Sequence, residues 1–320
     1  KGQTYLFDNE GRMQTGWVAL TASTSSNAKE YLEIGGEDST AKLSDYTDVY
    51  FCGDEDDGHA KKNKWLKTWL PDDTNEEEDD KNWFWFDKTW RPEDFDDEDE
   101  DNDEFWYWID KNGKVYIPTE AASGSNATGY KYKLEDAALA QKKVSGSYES
   151  FEITKKKVNS KDYFFNNDGE MLSQFIEVVT PNTADGLVTG MYYFGGDDDG
   201  SMKTGSQSIK DNAGDTYKFY FYTKDQNPTD YKSNSGANLY KGAGVIGNQS
   251  NKLYYYGMLI QADDYKYQLA TVNDKTFIVN SNGSIQHSAI EYKEDGDVLI
   301  PAKEAKFNTT DKQYKYYVTE

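Results

Sequence analysis

The densest oxygen chemistry in the chain sits in two short turns, GDEDDG at 53–58 and GGDDDG at 195–200. Asp54, Asp56 and Asp57 in the first, and Asp197, Asp198 and Asp199 in the second, set several hard oxygen ligands on one tight bend, which is the donor set calcium takes. The spacing is not that of an EF-hand loop, because no D-x-D-x-D-G run with a following Glu is present. Adjacent acids also serve simply to solvate a hairpin tip, so the turns read either as calcium ligands or as exposed polar bends. No organic cofactor is expected.

The second chemistry is ring stacking. The chain has 26 Tyr, 15 Phe and 8 Trp in 320 residues, and hydrophobic residues of all kinds make up only 36%. Exposed rings stack on sugars or enclose quaternary ammonium groups. With so few aliphatic residues, however, most of them must build the core. All the tryptophans, Trp17, Trp65, Trp69, Trp83, Trp85, Trp90, Trp106 and Trp108, fall in the first 110 positions. Trp17, Trp65 and Trp69, with Tyr193 of the second acidic copy, are the candidate ligand contacts.

Catalytic groupings are missing from the pattern. The two histidines, His59 and His287, lie near no nucleophile elbow and read as surface residues. Cys52 is the single cysteine, so no intrachain disulfide forms, and one Cys with two distant His makes no closed zinc site. KGAGVIG at 241–247 has glycines without a βαβ context and reads as a turn. A glycosidase pair is not distinguishable among 58 carboxylates. The expectation is a protein that is not an enzyme.

The elements that must position these groups are repeats. YLFDNEGRM (5–13), YWIDKNGKV (107–115), YFFNNDGEM (163–171) and FIVNSNGSI (277–285) share an aromatic-rich triplet, a polar turn closing on Gly, and an apolar residue two places later. Alternating rings suit a half-buried strand and the Asn/Asp/Gly cluster suits a tight turn, so each copy reads as a β-hairpin. Gly16 is expected to start a second turn and Trp17 the next strand. Six places after the Gly stand Trp17, Phe175 and Ala289 in three of the copies.

A larger unit is used twice. After the acidic turn of YFCGDEDDG come WFWFD (83–87), YKYKL (130–134) and VNSKDYFFNNDGEM (158–171); after that of YFGGDDDG come KFYFYTKD (218–225), YKYQL (265–269) and VNDKTFIVNSNGSI (272–285). The seam is PNTADGLVTG (181–190). This gives a partial hairpin repeat at 1–48, unit one at 49–180, unit two at 181–290 and a C-terminal β segment at 291–320. DDTNEEEDD (72–80) and EDFDDEDEDNDE (93–104) are loop insertions too charged to pack. KLEDAALAQKK (133–143) alone has helical composition, or else forms a loop with one helical turn. The expected fold is all-β, tandem hairpins in an irregular solenoid-like array with additional small antiparallel sheets.

A net charge of −23 makes nucleic acid and anionic membrane surfaces unfavourable partners. No apolar stretch approaches the roughly 20 residues needed to span a bilayer. Because the chain begins inside a repeat, it is expected to be a piece of a longer, multidomain polypeptide.

At YLFDNEGRMQTGWV and YFGGDDDGSMKTG the sequence resembles the cell-wall-binding, choline-binding-type repeats of Gram-positive surface proteins, with similar repeats in glucan-binding glucosyltransferases and clostridial glucosylating toxins. Gly11, Met13, Thr15, Gly16 and Trp17 match that unit, and Gly200, Met202, Lys203, Thr204 and Gly205 match until Ser206 stands in place of Trp. The resemblance implies a secreted or surface-bound attachment module of stacked hairpins that holds cell-wall polymer or external polysaccharide. It places a ligand-caging Trp at Trp17, and at Trp65 in the looser KNKWL.

Overall fold

The computed structural model describes residues 2–22, 29–34, 43–46, 48–53, 56–68, 105–118, 126–135, 138–141, 150–182, 187–225, 241–262, 266–272, 275–286, 292–294, 297–301, 307–308, 313–314 and 318–319. Asp54, Trp69, His287 and the aromatic run at 83–87 lie outside them. The architecture is all-β, built from small antiparallel sheets. Among the described residues no helix is long and apolar enough to cross a membrane.

The repeated hairpin has one geometry in all four copies. The third triplet residue bridges the apolar residue beyond the Gly: Phe7 to Met13, Ile109 to Val115, Phe165 to Met171, and Val279 to Ile285. Between them the turn is tied by one side chain. Asp8, Asp110, Asn166 and Asn280 each accept two backbone N–H bonds on Oδ1, from the residues two and four places on, at 2.8–3.1 Å. The Gly N–H closes on the carbonyl of the same Asp or Asn. That closure needs left-handed backbone, with φ between +73° and +87° at Gly11, Gly113, Gly169 and Gly283, which is why glycine recurs there.

The chain gathers into two compact units, Lys1–Ala121 with Phe165–Met171, and Ala122–Phe164 with Leu172–Glu320. Compaction therefore divides the chain differently from the sequence duplication.

In the first unit, β1 (Trp17–Ala22) lies between β2 (Lys29–Glu33) and β3 (Val49–Phe51). β1 starts at Trp17 after Gly16, whose φ is +59°, as the sequence led one to expect. Its residues alternate between two cores: Trp17 and Ala19 pack with Leu43, Val49, Phe51 and Tyr107, whereas Val18 packs with Leu6, Cys52 and Ala60. β4 (Lys64–Thr68) and β5 (Phe105–Ile109) form a separate antiparallel ribbon.

In the second unit, β6 (Ala127–Glu135), β7 (Ala138–Gln141), β8 (Phe151–Val158), β9 (Lys161–Phe165), β10 (Phe175–Thr180) and β11 (Gly190–Tyr193) form one sheet. A second sheet comprises β12 (Gly205–Lys210), β13 (Thr216–Phe221), β14 (Gly247–Gln249), β15 (Lys252–Tyr255) and β16 (Met258–Leu259). One core draws on both, joining Leu134, Phe175 and Met191 to Ile209, Phe219 and Phe221. β17 (Tyr267–Val272) and β18 (Lys275–Asn280) make a hairpin whose apolar face packs with Leu253.

The helical reading of 133–143 is corrected. Lys133–Glu135 ends β6 and Ala138–Gln141 is β7, paired through Leu134↔Leu139 and Lys133↔Ala140. Ala and Leu favour helix only weakly, and the alternating Tyr130, Tyr132 and Leu134 carry this segment into the sheet.

Candidate functional site

The β4–β5 ribbon has two unlike faces. Cross-strand pairing sets Trp65 opposite Trp108, Leu66 opposite Tyr107, and Lys67 opposite Trp106. Because side chains alternate along a strand, Leu66, Tyr107 and Ile109 turn to the core, where Tyr107 and Ile109 are wholly buried. Trp65, Lys67, Trp106 and Trp108 share the opposite face, and its three indoles are half-buried. Trp65 and Trp108 meet edge to face at 5.4 Å and 60°. The turn at 165–171 completes the cluster. Met171 N–H donates to the Trp106 carbonyl at 2.8 Å, Phe165 lies parallel to Trp65 at 6.0 Å and 5°, and Tyr116 meets Phe165 edge-on at 5.0 Å. Lys67 is the charged side chain on this face.

Of the candidate contacts, Trp65 is in this cluster and Trp17 is not. Trp17 is 2% exposed, held between Phe51 at 5.3 Å and Tyr107 at 5.0 Å, both edge to face. Phe175, which stands at the same offset in its own repeat, is 0% exposed. In these two copies the site six places after the Gly is thus a core position that opens a strand, and the reading of Trp17 as a ligand contact is corrected to packing. Tyr193 belongs to the second unit, half-buried with its ring 4.6 Å from Phe175 and 6.1 Å from Phe221. Burial, then Asp199 and Asp197, push its phenol above the ordinary range. Trp106, Trp108 and Phe165 were not singled out from sequence. The alternation in FWYWI was a visible signal for the first two, but the partner strand is 36 residues upstream across 69–104.

In both acidic turns an Asp folds back over a left-handed Gly and meets a Lys four residues on. Asp57 bonds Lys61 and His59; Asp199 bonds Lys203 and Ser201. A Cβ on Gly195 would lie 2.8 Å from the Asp199 Cβ, so only glycine leaves room for that fold-back. The Lys61 ammonium bond holds the Asp57 carboxyl low. At Asp199 burial works upward, yet the bonds from Lys203 and Ser201 outweigh it and the carboxyl is lowered. Asp197 is lowered likewise, burial being outweighed by Ser173 Oγ at 2.9 Å and by Lys131. Asp56 and Asp198 are exposed. Among the described residues no three His, Cys, Asp or Glu side chains converge as a metal site would require. His59, expected at the surface, is partly buried, because it bridges Tyr5 as well as bonding Asp57.

No protein-family model matches the chain, and no curated protein matches it. Among solved structures it is similar to choline binding protein F from Streptococcus pneumoniae in the presence of a peptidoglycan analogue, with 16% identity, 100% of this chain and 90% of that one covered, and a TM-score of 0.21. CbpJ from Streptococcus pneumoniae TIGR4 gives 16% identity over 93% and 98% of the two chains with a TM-score of 0.14. Alternansucrase in complex with isomaltononaose gives 11% identity over 97% of this chain and 18% of that one, also at 0.14. Superposition this poor lends no weight to any function, which rests on the chain's own residues.

Proposed function

We propose that the chain is a non-catalytic attachment module that holds cell-wall polymer or external polysaccharide against the half-buried indoles of the β4–β5 ribbon. The observation that carries this reading is the Trp65–Trp108 pair at 5.4 Å, backed by Phe165 and facing away from the core. Rings supported from beneath hold one orientation, so a pyranose face can stack on them without the ligand first ordering the site. A charge of −23 argues against nucleic acid or an anionic membrane as the partner. The repeat resemblance supports a secreted or surface location within a longer multidomain protein.

Retention on purified Gram-positive cell walls and on insoluble α-glucan tests the reading. Trp65→Ala and Trp108→Ala should each lower retention about tenfold, as loss of a central aromatic contact does, with the thermal midpoint checked in parallel. Absence of retention of the parent chain on either material would remove the carbohydrate reading. A spacer or stalk is the second reading, favoured by the burial of Trp17; its acidic turns, closed by lysines, then serve solubility rather than calcium. It expects the alanine variants to lose stability without any change in retention.

A further inference from the structure

The sequence GHAKKNK at 58–64 concentrates positive charge in an acidic chain, and the structure gathers it round a cavity of about 330 Å³. Gln3, His59, Lys61, Lys62 and Lys64 line that cavity, and none of its lining residues is acidic. Tyr5, beside the cavity, bridges the lining residue His59 through the backbone, the two rings meeting edge to face at 6.4 Å, and is 41% exposed. The Tyr5 hydroxyl donates to Gln3 Oε1 at 3.0 Å. Asp57 engages Lys61 and His59, which fixes those two side chains and takes up the charge of Lys61. Lys62 and Lys64 are different. Both are exposed, Lys62 Nζ reaches only the neutral Thr4 hydroxyl at 3.4 Å, and among the described residues neither is in an ion pair.

We propose that this pocket binds a sugar carrying a phosphate or carboxylate group, the anion held by Lys62 and Lys64. The net charge of −23 does not oppose this at contact range. At physiological salt the field of distant carboxylates is damped beyond about 8 Å, whereas the two ammonium groups act directly on the bound anion. The sugar half of the assignment rests on the carbohydrate reading above; the selection for negative charge rests on the lysines alone.

Calorimetric titration of the full chain with glucose 1-phosphate, glucuronic acid, glucose and inorganic phosphate tests it. At least one acidic sugar should bind about tenfold more tightly than glucose, on the order of one charge-assisted contact. The doubly substituted Lys62→Gln, Lys64→Gln chain should lose that preference with an unchanged melting temperature. Binding of glucose 1-phosphate alone identifies phosphate as the group read, binding of glucuronic acid alone identifies carboxylate, and either supports the proposal. Equal affinity for glucose and the acidic sugars overturns it, as does undiminished binding by the lysine variant or no binding of either acidic sugar. Inorganic phosphate bound as well as its sugar ester overturns the sugar half while leaving wall and glucan retention unaffected.

Discussion

Asp57 and Asp199 occupy one place in two copies of the same turn, each folded over a glycine and closed by a lysine four residues on. The spacing G-x-x-x-D-G-x-x-K was present in both sequences, but the density of neighbouring acids drew attention to metal chemistry, because a run of carboxylates does not say which one turns inward. Lys203→Met should lower stability by about 0.5 kcal/mol, a screened value suited to a pair in which Asp199 is 43% exposed. Denaturant titration at neutral pH checks it. The pH dependence has a definite sign. Asp197 and Asp199 are depressed in the folded chain, so their contribution is present above the unfolded carboxylate value near about 4 and disappears as pH falls through the lower folded values. Lys203→Met should flatten that acid limb.

At the level of the hairpin, four copies could be read directly because Asp or Asn, Gly and the flanking apolar residues recur at fixed offsets. A fifth copy escaped. Between β12 and β13, Asp211 accepts the Asp215 N–H at 2.9 Å and the Gly214 N–H closes on the Asp211 carbonyl, with Lys210 opposite Thr216. Here the aromatic triplet and the apolar partner are gone and only the turn chemistry remains, so the side-chain pattern gave no cue. The turn is thus the invariant part, and its Asp or Asn is where it breaks. Asp110→Ala removes the acceptor for the Asn112 and Lys114 N–H groups and should cost about 1 kcal/mol, measured by denaturant titration. The same substitution at exposed Asn112, whose side chain serves no backbone group, should change stability little. The β4–β5 ribbon was illegible for another reason: YWI at 107–109 was read as a strand but KWLKT at 64–68 was not, and the two pair across 36 intervening residues.

At the scale of the whole molecule, phenols share the core with the more numerous Ile, Leu and Val side chains among the described residues, and they give it a pH response. Burial raises Tyr50 to about 12 and pushes Tyr132, Tyr163, Tyr193, Tyr254 and Tyr256 upward as well. A phenol raised on folding contributes stability that is complete below its unfolded value near about 10 and is lost as pH rises through the folded one. Phenolate absorbance should therefore rise in two steps, an early one from exposed tyrosines and a later, cooperative one that coincides with loss of the β-sheet dichroism. Composition led one to expect a ring-built core, yet Ile, Leu and Val outnumber the rings among the buried described residues; the all-β class was legible from periodicity. The division into two units was not, since it depends on the turn at 165–171 grouping with residues far earlier in the chain. That division leaves the natural reporters on one side. Every tryptophan and the single, fully buried Cys52, whose thiol burial pushes up to about 12, belong to Lys1–Ala121. Thiol alkylation of Cys52 consequently follows the opening of the first unit's core, while 20 of the 26 tyrosines lie beyond Ala121 and weight the second, so an unmodified chain carries a separate clock for each half.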